Sequence, residues 1–323
     1  MRSNSYRPVT ACWRIALPFL FFVLFTLPAN SADQPADELN RTFQAAKASL
    51  AAENLVEAEH QFNRTIAIGL RQVANLATSQ SHFNEAQREL DEALKCAPGD
   101  LDITVDAAVA SFRAGDVQKA RQLALSVVDQ NPHNVQAQNV LGRIDLYRGD
   151  FEAAIRELRA AIAPHEEFET SYFLGLAYLK AKQVTDAQEW FQHLQENFGD
   201  SAALHVLFGR AYSIAHYPEA AVAEFSKAIQ IEPNYPRVHS LLGYSTLEFR
   251  GEEAYPQARL EFQRELRIHP EDYNALLLVG ISDVALRDFA AAEAALRHAI
   301  RLRPGEFFPY LYLGETYSEL KRY

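Results

Sequence analysis

The scarcities of this chain narrow it first. Its 323 residues include two cysteines, one methionine and two tryptophans. Cys12 lies in an amino-terminal stretch expected to be removed, which leaves Cys96 alone and excludes an internal disulfide. Cys96 is predicted late in a helix, where a small core residue is expected. Val-Ile-Thr alternation is sparse and no Asn-Gly turn occurs, so strands are not expected and the chain reads as all-α. Basic residues are outnumbered, 31 Lys and Arg against 42 Asp and Glu, a formal charge of −11. That balance argues against nucleic acid, which needs a basic face, and against anionic membrane surfaces. No G-x-x-x-x-G-K-[ST] loop or G-x-S-x-G elbow is present. None of the ten histidines has another His or Cys three or four residues away, as a helical metal site requires. No catalytic residue, cofactor or metal is therefore expected.

The apolar run at 15–27 is shorter than the ~20 residues a spanning helix needs. Arg2, Arg7 and Arg14 precede it and Pro28-Ala29-Asn30-Ser31-Ala32 follows, the order of a secretory signal segment. Residues 1–32 are thus read as a signal peptide, and the protein as exported, periplasmic or extracellular. An uncleaved amino-terminal anchor is the alternative. Cleavage removes three arginines and no acid, leaving 28 basic and 42 acidic side chains, a charge of −14.

What the chain does have is a beat. Small residues stand at Ala46, Ala74, Ala108, Gly142, Gly175, Gly209, Gly243, Gly280 and Gly314, with steps after Ala74 of 34, 34, 33, 34, 34, 37 and 34. Twelve residues after most of them comes an alanine: Ala58, Ala86, Ala120, Ala154, Ala187, Ala221 and Ala292, with Ala258 displaced by three in the widened unit. One supersecondary unit repeated in phase makes a solenoid, not a globule. Apolar spacing within a unit is helical, as in Leu204, Leu207, Phe208, Ala211 and Tyr212, then Ala221, Val222, Phe225, Ala228 and Ile229. Each unit therefore reads as two helices whose crossing is opened by the small residue and filled by a neighbouring bulky one. Pro98, Pro132, Pro233, Pro270 and Pro304 punctuate the unit ends, because proline cannot continue a helix. Gly115-Asp116, Gly149-Asp150 and Arg287-Asp288 mark turns within units. The run 250–256 is a longer turn that accounts for the 37-residue step.

This pattern resembles the tetratricopeptide repeat, whose consensus is W-x2-L-G-x2-Y, A-x3-F, A and P over 34 residues. The carriers are Phe208-Gly209, Tyr212, Ala221, Phe225, Ala228 and Pro233 in one unit. Leu174-Gly175, Tyr178, Ala187 and Phe191 carry it in another, although Gly199 stands where proline is usual. Leu141-Gly142, Ala154, Leu158 and Ala161 match in a third, and Leu313-Gly314 with Tyr317 in the last. The resemblance covers about 39–323 and implies an α-solenoid, a right-handed superhelix of about eight antiparallel hairpins. The expected organisation is an irregular capping hairpin at 33–66, then an array at 67–306 with units starting near 67, 101, 135, 168, 202, 236 and 273. An incomplete last repeat is expected at 307–323, with possible truncation.

The resemblance also implies an inner groove lined by first helices, with Asn139, Arg143, Tyr147, Tyr172, Arg210, Arg237 and Tyr244 at groove positions. A protein or peptide ligand suits that mix of Tyr, Arg and amide, since Tyr and Arg dominate contact energies. The Lys/Asn/Arg carboxylate clamp of chaperone-binding members is not matched: Arg71 and Asn75 are followed in the next unit by Asp102, Val105 and Val109. Three readings stay open here. One is an exported, non-catalytic scaffold or adaptor; another is the recognition arm of a larger transferase or peptidase whose catalytic domain follows residue 323. The third is an envelope-assembly factor. The oligomeric state is open.

Overall fold

The structure, a computed structural model, describes residues 33–163 and 165–321. The signal-peptide reading of 1–32 lies outside the described residues. The described residues contain sixteen α-helices and one short 3-10 turn, without strands, and divide between Pro132 and His133 into two compact units. The first holds α1 (Asp33–Ala51), α2 (Leu55–Ser79), α3 (Phe83–Cys96), α4 (Leu101–Arg113) and α5 (Val117–Gln130). The second opens with α6 (Val135–Arg148), α7 (Phe151–Ile162), α8 (Phe168–Lys180) and α9 (Val184–Phe198). It continues with α10 (Ala202–Ile214), α11 (Pro218–Ile231), α12 (Val238–Arg250) and α13 (Tyr255–Ile268). It ends with α14 (Tyr273–Ala285), α15 (Phe289–Leu302) and α16 (Phe307–Glu319).

Side-chain chemistry sets the helix starts. Asp100, Asp116, Asn134, Asp150, Ser201, Asp272 and Asp288 each accept a hydrogen bond from a backbone N–H of the first turn they precede. Each turn inside a hairpin places one residue at positive φ: Ser81, Gly115, Gly149, Lys182, His216, Gly251 and Arg287. Glycine holds the 115 and 149 turns at no steric cost, whereas Lys182, His216 and Arg287 adopt the same region with a Cβ.

One sequence expectation fails. The boundary between a 33–66 hairpin and a unit at 67 falls inside α2, which runs unbroken for 25 residues. Nothing between Asn63 and Gly69 breaks a helix, so α2 serves both as the partner of α1 and as the partner of α3. This explains the short step from Ala46 to Ala74. The inserted residues of the widened unit form a 3-10 turn, Gly251–Ala254, whose Ala254 is buried. Cys96 is half-buried at the end of α3, at the margin of the core rather than inside it.

The crossings are where the repeat earns its small residues. In the second unit a Cβ built at Gly142, Gly209, Gly243 or Gly280 would come 2.5–2.6 Å from Leu158, Phe225, Phe262 or Leu296, and one at Gly175 would collide with Phe191. Each pair joins a first helix to its second. Phe225, Phe262, Leu158 and Leu296 are fully enclosed. Burying one such side chain contributes about 1.5–3 kcal/mol. In the first unit alanine replaces glycine, at Ala74 and Ala108, and the opposed positions hold only Leu90 and Ala124. At Ala108 the smaller Ala124 makes room for the added methyl, whereas at Ala74 a leucine like those opposite Gly142 and Gly280 is accommodated.

Candidate functional site

The second unit presents its first helices side by side. α6 touches α8, α8 touches α10, and α14 touches α16, besides the contacts each makes with its own and its neighbouring second helix. The Ser213 and Ser245 hydroxyls, 3.2 Å apart, link α10 to α12. The result is a wall of first helices, and most of the groove residues expected from the sequence stand on it.

Asn139 on α6 donates its amide to Thr170 Oγ1 on α8. Arg143, whose side chain is 18% exposed, pairs with Glu169 at 3.2 Å and lies over the Phe173 ring at 4.4 Å. Tyr172 on α8 packs edge-on against Phe173, with ring centroids 5.6 Å apart. Burial pushes its phenol up to about 12, against a smaller opposing pull from the Arg210 charge. Arg210 on α10 is half-buried, and its Nε is shielded from solvent without a hydrogen-bond partner. Tyr147 is 77% exposed at the end of α6. Tyr244 on α12 hydrogen-bonds Glu248, whose carboxyl is raised by burial despite that bond.

Arg237 behaves differently. It precedes α12 at φ 67° as the helix cap, its N–H donating to Glu265 at 3.0 Å and its Nε lying 3.7 Å from Asp272. It is anchored at the hairpin edge by two acids. Arg71, the early-unit cation, is likewise taken up by Asp106 at 2.5 Å, with Asp102 at 3.8 Å.

The structure adds residues that the sequence did not flag. Lys180 at the end of α8 donates to the Ile214 carbonyl at 2.6 Å, capping α10, and desolvation lowers its ammonium. On the side turned to the second helices runs a column of buried polar residues at one register: Gln138, Ser171, His205 and His239. The His205 ring sits between Glu224 at 2.6 Å and Asp200 at 2.7 Å. His239 faces Glu261 at 2.8 Å and the Pro233 carbonyl at 3.1 Å. Their spacing of 33, 34 and 34 residues repeats the beat of the glycines, and was legible on that account. Among the described residues no group of three or more His, Cys, Asp or Glu could hold a metal ion. No described helix is long and apolar enough to cross a membrane.

Comparison with known proteins agrees with the geometry. Residues 77–144 match one tetratricopeptide repeat family model and residues 139–202 another. Tetratricopeptide repeat protein 33 of Xenopus laevis is 30% identical over 93 residues, 29% of this chain. The match covers 36% of that relative, so the chain spans about a third of its length. A tetratricopeptide repeat protein of Parabacteroides merdae superposes with a TM-score of 0.55 at 14% identity, over 77% of this chain and 98% of that one. Yeast Tom70 does so with a TM-score of 0.55 at 10% identity, over 93% and 68%. The fold is an α-solenoid of helix hairpins, a scaffold of the kind suited to protein–protein interaction. By its repeat motifs and its stacked helix pairs, the stretch 77–202 is built of tetratricopeptide repeats.

Proposed function

We propose that this protein is an exported, non-catalytic scaffold that takes a protein or peptide partner along the wall of first helices in its second unit. One observation carries the reading: Arg143, Tyr172 and Arg210 stand half-buried on three successive first helices, α6, α8 and α10. Half-burial matters, because rotamers already restricted by packing lose less freedom on binding. Tyr and Arg at such positions supply most of the energy of many interfaces. The signal-like segment at 1–32 supports export. The acidic surface and the missing catalytic motifs support a binding role without nucleic acid or chemistry of its own.

The test is recovery of partners from the exported fraction of the source cells, with the chain as bait. Arg143→Ala, Tyr172→Ala and Arg210→Ala together are expected to abolish recovery while leaving the helical signal unchanged. Recovery equal to the parent's rejects the wall as the partner surface. Mass spectrometry of the mature amino terminus tests export separately: a new start at Ala32 or Asp33 is expected, and an intact Met1 contradicts cleavage.

A further inference from the structure

Charges along the wall are mostly settled between neighbours. Arg143 has Glu169, Arg237 has Asp272, and Glu248 has Tyr244. Arg210 is the exception. Among the described residues no carboxylate lies within ion-pair distance of it, and its shielded Nε has no acceptor. The group beside it is Tyr172, whose phenol burial keeps neutral up to about 12 and which therefore supplies no counter-charge. Lys180, on the neighbouring helix, adds a second cation. It too has no carboxylate among the described residues, and its charge helps burial to depress His216.

Other cations without acids, such as Arg88, Arg148, Arg156 and Lys182, lie exposed, where water solvates them. Arg210 is half-buried, and its Nε is withdrawn from water without a replacement partner, a costly state for a donor. A carboxylate would accept from its Nη groups through charge-assisted hydrogen bonds and supply the counter-charge that the wall does not. The surroundings select against a nonspecific anion site, since the chain carries a net −11 and repels acidic ligands elsewhere.

We infer that the α8–α10 stretch of the wall binds an acidic residue of the partner, with a Glu or Asp carboxylate seated on Arg210 and Lys180 contributing a second positive charge. The inference rests on the wall being the partner surface and names the chemistry recognised there. About two turns before Arg210 on the same helix, Ala203 is small and exposed, leaving room for a peptide backbone.

The experiment uses a random linear peptide library displayed on phage and selected on the immobilised full chain. Selections run in parallel on Arg210→Gln, on Arg156→Gln as a control distant from the wall, and on Ala203→Glu, which blocks the wall with a like charge. All variants are first checked for parental melting. Asp or Glu is expected to be enriched at a fixed position among binders of the parent and of Arg156→Gln. On Arg210→Gln it returns to its library frequency. A synthetic binder whose acid is replaced by its amide is expected to bind the parent roughly tenfold more weakly and Arg210→Gln no worse than the acid does. Binders without acid enrichment that still vanish on Ala203→Glu overturn the acid reading and leave the wall standing. Binders indifferent to Arg210→Gln and Ala203→Glu alike, or no binders at all, overturn both.

Discussion

At the scale of single residues, the account turns on what sits opposite the repeating glycine. Gly209 faces Phe225 so closely that even a methyl must displace the ring. Gly209→Ala alone is expected to cost about 1–3 kcal/mol, the usual range for overpacking. Phe225→Leu in the same molecule should recover part of that loss, because Ala74 already lives opposite Leu90 in the first unit. A double-mutant cycle in urea is expected to show favourable coupling of roughly 0.5–2 kcal/mol. Strictly additive losses would show that the two residues do not share the crossing. The pairing was legible in the sequence, since glycine and its bulky partner keep a constant spacing. Which cations would be satisfied was not legible. Arg210 stands within its first helix and finds no acid among the described residues, whereas Arg237, the cap of the next first helix, is met by Glu265 from α13 and by Asp272 from the loop before α14.

Titration gives a second test at this scale. The Tyr172 phenol is pushed up to about 12 by burial, above the ~10 of an unfolded tyrosine. The native state therefore keeps a proton that the unfolded chain releases. Its contribution to stability is fully present below about pH 10 and is lost as pH rises from there toward 12. Tyr212 behaves alike, raised to about 12 by burial and then by Glu224. In an ultraviolet titration both should ionise in the last phase, and Tyr172→Phe should remove one tyrosine from that phase. Removal from the phase near pH 10 would contradict the burial.

At the scale of elements, the turns within hairpins are variations on one geometry. Gly115-Asp116 and Gly149-Asp150 combine a positive-φ glycine with an aspartate cap, while the equivalent turn at Lys182-Gln183 has neither. Lys182→Gly with Gln183→Asp converts it to the sister sequence. The expected gain is about 1–2 kcal/mol from relieved backbone strain and a new cap, read as a higher melting temperature. A lower melting temperature would mean that the 182 turn depends on its own side chains. Helix extents were readable from the sequence: α11 begins and ends where proline and apolar spacing place it, at Pro218–Ile231. The α2 boundary was not, because the repeat beat suggested a break where no residue type enforces one. The buried His239–Glu261 pair escaped too, since residues 22 apart on separate helices signal nothing until the hairpin closes. His239→Phe should leave Glu261 without that partner and cost ~2–4 kcal/mol.

At the scale of the molecule, stacking first helices against one another within the second unit turns local crossings into a shared wall, and stability becomes roughly a sum over neighbouring repeats. The functional claim is that this surface, and not the flank formed by second helices, meets the partner. Photo-crosslinking separates the two most directly. A photoreactive amino acid is placed at Ala203 on α10 or at Gln188 on α9, both on the full chain in the presence of the exported fraction. The account predicts a covalent adduct from position 203, lost when Arg210 is changed to Gln, and none from position 188. An adduct from 188 alone would place the partner on the opposite flank and contradict the account.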